Sequence, residues 1–155
     1  MPGSNQVKIP SMGSVLFGLD AATHLDAIEQ INDSLSSIFT PDVAARLNAL
    51  VLARESLAST YLDHQIALPH ARFPDPAPFC IGVALAQTPI AWGPTAQATR
   101  LVILSIVPNS CATDYLGFIR NLAYALRDLS KRTQLLNSPD RDSIKTWFNR
   151  HLSLT

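Results

Sequence analysis

The chain has 155 residues, 47% of them hydrophobic, which suits one domain with a sizeable core and is too apolar for a disordered segment. Its 12 basic residues balance its 12 acidic ones, so no broad basic field is available for nucleic acid and no basic block for an anionic membrane. The opening Met1-Pro-Gly-Ser-Asn-Gln6 has no basic n-region and no long apolar run. Neither a signal peptide nor direct membrane insertion is expected, and the expected compartment is the cytoplasm.

Residues 1–13 contain Pro, Gly and Ser and are expected to form an irregular arm, ahead of a domain over 14–155. Ser14–Leu19 reads as a short edge strand or an extended lead-in. A first helix starts near Thr23, a suitable N-cap with Asp26 at the third position, and carries the apolar stripe Leu25, Ile28, Ile31, Leu35 and Ile38. Thr40-Pro41-Asp42 has the order N-cap, first-turn proline and acidic first turn. The second helix should therefore run from there to about Leu57, with Val43, Leu47, Leu50 and Val51 on one face. Ala58–His64 reads as a connection and Gln65–Leu68 as a strand; Leu68, preceding Pro69, is biased to extended geometry.

Phe79–Ala86 is a continuous apolar run, as a buried strand requires, and Ile90–Trp92 is a possible short strand before a turn at Gly93-Pro94. Thr99–Val107 is apolar and β-branched, stops at Pro108-Asn109, and reads as the central strand. Asp114–Leu129 is expected to be a third helix with Leu116, Ile119, Leu122, Ala123 and Leu126 inward. Ser130–Leu136 is a possible short helix. Ser138-Pro139-Asp140 opens a last one carrying Ile144, Trp147, Phe148 and Leu152. Helices, then strands, then helices imply an α/β sandwich: a single domain with a mixed central sheet covered by helices on both faces.

Chemistry concentrates between Arg54 and Arg72. Arg54 ends a helix, Ser59-Thr60 lies in a small polar loop, and an apolar strand runs into Pro69-His70. A neutral imidazole is a competent nucleophile near neutral pH. An arginine can pair with two phosphoryl oxygens at once. The pair therefore suits a phosphoryl group held on His70 and supported by Arg54. Each residue also has a plainer reading: a hydrogen-bonded surface histidine for His70, a helix-end cation for Arg54. Glu55 either orients Arg54 or is solvated. Ser59 and Thr60 either donate to phosphate or form the turn. Arg72 is a candidate contact for an acidic partner. Cys80 and Cys111 sit in or beside apolar segments, in no metal or redox motif, and read as reduced packing residues. The four histidines lack ligand spacing, so no metal and no cofactor is expected; His24 and His151 fall at helix ends.

Arg54-Glu55, Ser59-Thr60 and Ile66-Ala-Leu-Pro-His70-Ala-Arg72 resemble the active-site segment of phosphotransferase-system IIA domains of the fructose/mannitol/nitrogen-regulatory type. Thr88-Pro89-Ile90-Ala91-Trp92, the strand Leu101–Pro108 and the helix carrying Leu122-Ala123 and Leu126 continue the likeness, from about Val15 to Leu152. The resemblance implies an α/β sandwich and a phosphotransferase working through a phosphohistidine. His70 would be the acceptor and Arg54 its supporting cation. The phosphoryl donor would be a histidine phosphocarrier protein, and the recipient a downstream permease domain or a regulated protein. The chain's length and lack of a second domain favour the free-standing nitrogen-type proteins within that family. Such domains usually carry a second histidine opening the helix after the Val-Pro strand, and here Tyr115 stands there. Tyr115 either supports a phosphoryl oxygen through its hydroxyl or fills the vacated space; His64, six positions before His70, is a further candidate for the missing imidazole. The alternative function is a non-catalytic IIA-like binding or regulatory module, for example one associated with a transporter.

Overall fold

The computed structural model describes residues 6–155, so the first five residues of the expected arm lie outside it. Six strands make one mixed sheet: β1 (Ser11–Phe17), β2 (Tyr61–Asp63), β3 (Ile66–Ala67), β4 (His70–Phe73), β5 (Cys80–Trp92) and β6 (Gln97–Pro108). Among the described residues five helices cover it: α1 (His24–Ser34), α2 (Pro41–Leu57), α3 (Ala112–Arg127), α4 (Leu129–Leu136) and α5 (Arg141–Leu152). The strand order is β1-β5-β6-β3-β2, with β4 also paired to β6. β5 and β6 are antiparallel; β1, β3 and β4 run parallel to their neighbours β5 and β6. The α/β sandwich expected from the order of elements is the fold observed.

Alternation along the strands gives each face its own core. Val102, Leu104 and Ile106 of β6 face Ile28, Ile31, Leu47 and Val51 of α1 and α2. Leu101 and Ile103 face Phe118, Leu122, Leu135, Ile144 and Phe148 of α3, α4 and α5. Helix starts follow their caps: the Thr23 hydroxyl accepts from Asp26 N, Thr40 from Val43 N and Asp140 from Ser143 N.

Several local expectations change. The arm does not extend to residue 13, because Ser11, Met12 and Gly13 already belong to β1, an edge strand with Ser11 paired to Cys80. The first helix ends at Ser34, a 3-10 turn carries Ser36–Ile38, and Leu25 and Ile38 are exposed rather than part of the buried stripe. Leu116 points outward, and Phe118 and Ala125 take the inner positions of α3. Ala58–His64 is not all connection: Tyr61–Asp63 pairs with β3 around a turn where His64 and Gln65 adopt positive φ. Finally, the chain does not stop at Pro-His. β3 and β4 lie along the same edge of β6, Ile66 opposite Leu101 and His70 opposite Ser105. The break between them falls at Leu68-Pro69, where proline has no N–H to give the ladder. Leu68 N instead donates to Thr60 O (2.9 Å), and Pro69 O accepts from Ser105 N (3.0 Å).

Candidate functional site

His70 is the first residue of β4, directly after the break, and its ring is half-buried. On β4 the side chains alternate. Ala71 and Phe73 enter the core under α1 and α2, so His70 projects to the opposite face, where α3 lies. There its ring packs against Tyr115 at 5.4 Å between centroids, tilted by 39°. His70 Nδ1 lies 3.0 Å from the Leu68 carbonyl oxygen. A carbonyl only accepts, so in the neutral ring Nδ1 carries the proton and Nε2 keeps its lone pair. The carbonyl that precedes Pro69 thus selects the tautomer.

Burial, the largest influence, lowers the His70 pKa below its ordinary value; the Leu68 hydrogen bond opposes this, the Arg54 charge adds to it and the Glu55 charge opposes it. The imidazole is therefore neutral at neutral pH, as a nucleophile must be. Arg54 sits in the last turn of α2, close enough for its charge to act on both His70 and Tyr115. One guanidinium nitrogen donates to Ala58 O at 2.9 Å, satisfying a helix-end carbonyl while other donors stay available. Arg54, His70 and Arg72 line a shallow cavity of about 530 Å3 together with Leu50, Ala53, Ser56, Leu57 and Ala71. Arg72 is exposed at its rim. A cavity lined by an imidazole and two guanidinium groups suits an anionic group.

Tyr115, in the first turn of α3, is half-buried, and burial pushes its pKa up to about 12 against the opposing effects of the nearby Ser105 hydroxyl and Arg54. The phenol therefore stays protonated and keeps an O–H to donate, without the positive charge a histidine could carry there.

Three of the expected residues, His70, Arg54 and Tyr115, are thus together. Ser59 and Thr60 are turned elsewhere. Glu55 is buried, and its carboxylate accepts from Thr60 N (3.2 Å), from the Thr60 hydroxyl (2.6 Å) and from the Trp92 indole N–H. It is neither solvated nor bonded to Arg54; it ties the end of α2 to the loop and to β5. The Ser59 hydroxyl accepts from Tyr61 N and lies against Gly93, in the left-handed turn between β5 and β6. His64 is half-exposed on the β2–β3 turn beside Asp63. Among the described residues, no group of three His, Cys, Asp or Glu side chains is placed to hold a metal ion, and no helix is long and apolar enough to cross a membrane. Cys80 and Cys111 are buried free thiols. Ser105, the one hydroxyl in the apolar run Leu101–Val107, stands opposite His70; its interruption of that run is the only mark of it in the sequence.

The mixed sheet covered by helices on both faces defines the class of α/β sandwich domains, and comparison with known proteins places the chain within it. Residues 9–151 match the family described as "Phosphoenolpyruvate-dependent sugar phosphotransferase system, EIIA 2", and the chain belongs to that family. The nitrogen regulatory protein IIA-Ntr from Neisseria meningitidis shares the fold with a TM-score of 0.76 and 20% identity, over 87% of this chain and 92% of that one. Enzyme IIA mannitol of Escherichia coli, solved in complex with phosphorylated enzyme IIB mannitol, superposes with a TM-score of 0.71 at 22% identity, over 92% of this chain and 98% of that one. Multiphosphoryl transfer protein 2 of Escherichia coli (strain K12) is 27% identical over 109 residues. That match spans 70% of this chain and 13% of the relative's length.

Proposed function

We propose that this IIA domain is a phosphohistidine carrier or regulator of the phosphotransferase system, accepting a phosphoryl group on Nε2 of His70 from a histidine phosphocarrier protein in the cytoplasm. The observation that carries this reading is the Nδ1–Leu68 hydrogen bond, which leaves Nε2 unprotonated on a histidine that lines one cavity with Arg54. In the step itself the Nε2 lone pair forms the new N–P bond as the donor's N–P bond breaks, and the electron pair returns to the donor's imidazole. The His70 proton stays on Nδ1, against the Leu68 carbonyl. Little further covalent work is asked of the protein, so positioning and charge carry the rate. Arg54 answers the phosphoryl charge with guanidinium N–H groups. Tyr115 adds one neutral donor. Arg72, exposed beside His70, meets an acidic feature of the partner. The group then passes to a permease domain or modifies a regulated target.

Incubation with phosphoenolpyruvate, the general phosphotransferase enzyme and the phosphocarrier should add one acid-labile phosphate to the parent and none to His70→Ala. Undiminished labelling of the variant excludes His70.

Tyr115 favours a second reading, a IIA-like binding or regulatory module that no longer transfers phosphate. A parent that stays unlabelled, while binding its partner equally with and without His70→Ala, establishes that alternative.

A further inference from the structure

Ser105 lies on β6 in register with His70, on the sheet face that α3 covers. It is 1% exposed, and its hydroxyl finds no hydrogen-bond partner among the described residues. A buried hydroxyl without a partner is costly, and an apolar residue would suit this strand better. Ser105 stands across from His70 in the ladder and the Tyr115 ring packs on the His70 ring, so both side chains border the same imidazole, with no hydrogen bond of ordinary geometry at the Ser105 hydroxyl. Two hydroxyl-bearing side chains therefore adjoin the imidazole, and the hydroxyl of the more buried one, Ser105, is unsatisfied.

We propose that Ser105 is a positioning residue acting through Tyr115: its O–H donates to the Tyr115 oxygen and so aims the Tyr115 O–H at a phosphoryl oxygen on His70 Nε2. This rests on the role given to His70 above. A phenol O–H has one proton, which it can give in many directions while its oxygen is unconstrained. A donor fixed behind the oxygen occupies a lone pair, leaves the proton to the phosphoryl group and makes the phenol a stronger donor. The arrangement supplies a second support beside Arg54 without a second positive charge. The charged groups acting on the ring from α2 are Arg54 and Glu55, and neither bonds to Ser105.

The test uses phosphoramidate, a small donor that phosphorylates imidazoles without a partner protein. The His70 phosphoryl group is followed by its 31P resonance, assigned by its loss in His70→Ala. Tyr115→Phe should displace the resonance and slow His70 labelling about three- to tenfold, the worth of one ordinary hydrogen bond. Ser105→Ala should displace it in the same direction and slow labelling comparably, with folding stability equal to or above the parent's because an unsatisfied buried group is removed. Adding Ser105→Ala to Tyr115→Phe should change neither quantity further. Parental shift and rate in Ser105→Ala, or equal effects with and without Tyr115→Phe, overturn the proposal. Absence of any His70 resonance overturns it together with the functional reading. Labelling by phosphoramidate but not by the phosphocarrier refutes only the functional reading, and the cycle still decides the role of Ser105.

Discussion

At the residue scale, the candidate site sets the Arg54 cation and one neutral phenol, Tyr115, near the His70 imidazole, with Arg72 exposed at the cavity's rim. Arg54→Ala removes the charged contacts; a hydrogen bond to a charged group is worth about 1.5–3 kcal/mol, so single-turnover transfer should fall by roughly one to two decades with the fold intact. An unchanged rate reduces Arg54 to its helix-end bond with Ala58. Tyr115→His restores a group that can become cationic, and its transfer rate near neutral pH should exceed the parent's; an equal or lower rate in a folded variant excludes Tyr115 as the limiting feature. The His70 ring makes a signed pH prediction. Its pKa is lowered in the folded protein, chiefly by burial. The unfolded chain therefore binds more protons between the lowered value and about 6.5. The stability this contributes is present above about 6.5 and is lost as pH falls through the folded value. Transfer to His70 should fall in that same window. Urea midpoints of parent and His70→Ala should converge on acidification, and a constant gap contradicts the assignment. Glu55 was ambiguous in the sequence because a Glu beside an Arg on a helix is ordinary. Its three donors come from Thr60 and from Trp92, thirty-seven positions on, which no local pattern announces.

At the element scale, the decisive feature is the interruption between β3 and β4. Pro69 was legible as a strand breaker, but local pattern could not say that β4 resumes along the same neighbour. That continuation comes from four aligned pairs with β6, from His70–Ser105 to Phe73–Pro108. Short strands such as Tyr61–Asp63 were missed for a related reason: three residues carry no periodicity, and pairing with β3 creates the strand. Close approach of elements is equally invisible in one dimension. A Cβ on Gly82 of β5 would lie 2.7 Å from Ile31 Cγ2 of α1 and 2.9 Å from Ser14 Oγ of β1. Gly82→Ala should therefore destabilise by about 1–3 kcal/mol, as overpacking does, measured by denaturant midpoint. A neutral or stabilising outcome would mean that α1 moves freely off the sheet.

At the scale of the whole molecule, one sheet joins two hydrophobic layers, and the site draws on both. Arg54 comes from the α2 layer, Tyr115 from the α3 layer, and His70 from the sheet between them. Because β5 and β6 contribute side chains to both cores, the layers should unfold together. Ile28→Ala on one face should cost about 2–5 kcal/mol and Phe148→Ala on the other about 3–5 kcal/mol. Each should lower the same single thermal transition, whereas two separable transitions would show independent layers. The sequence by itself determined the elements whose signals are local: helix starts set by Thr23 and Thr40, strands set by long apolar runs, and a histidine after proline near an arginine. Caps, periodicity and steric restriction act over a few residues, so they can be read there. Only the tertiary structure decided that Ser105 lies opposite His70, that Glu55 is a buried anchor, and that Tyr115 occupies the face of the imidazole. Each of those facts depends on strand register and on which helix covers which face of the sheet, and these are set by burial of the whole chain at once.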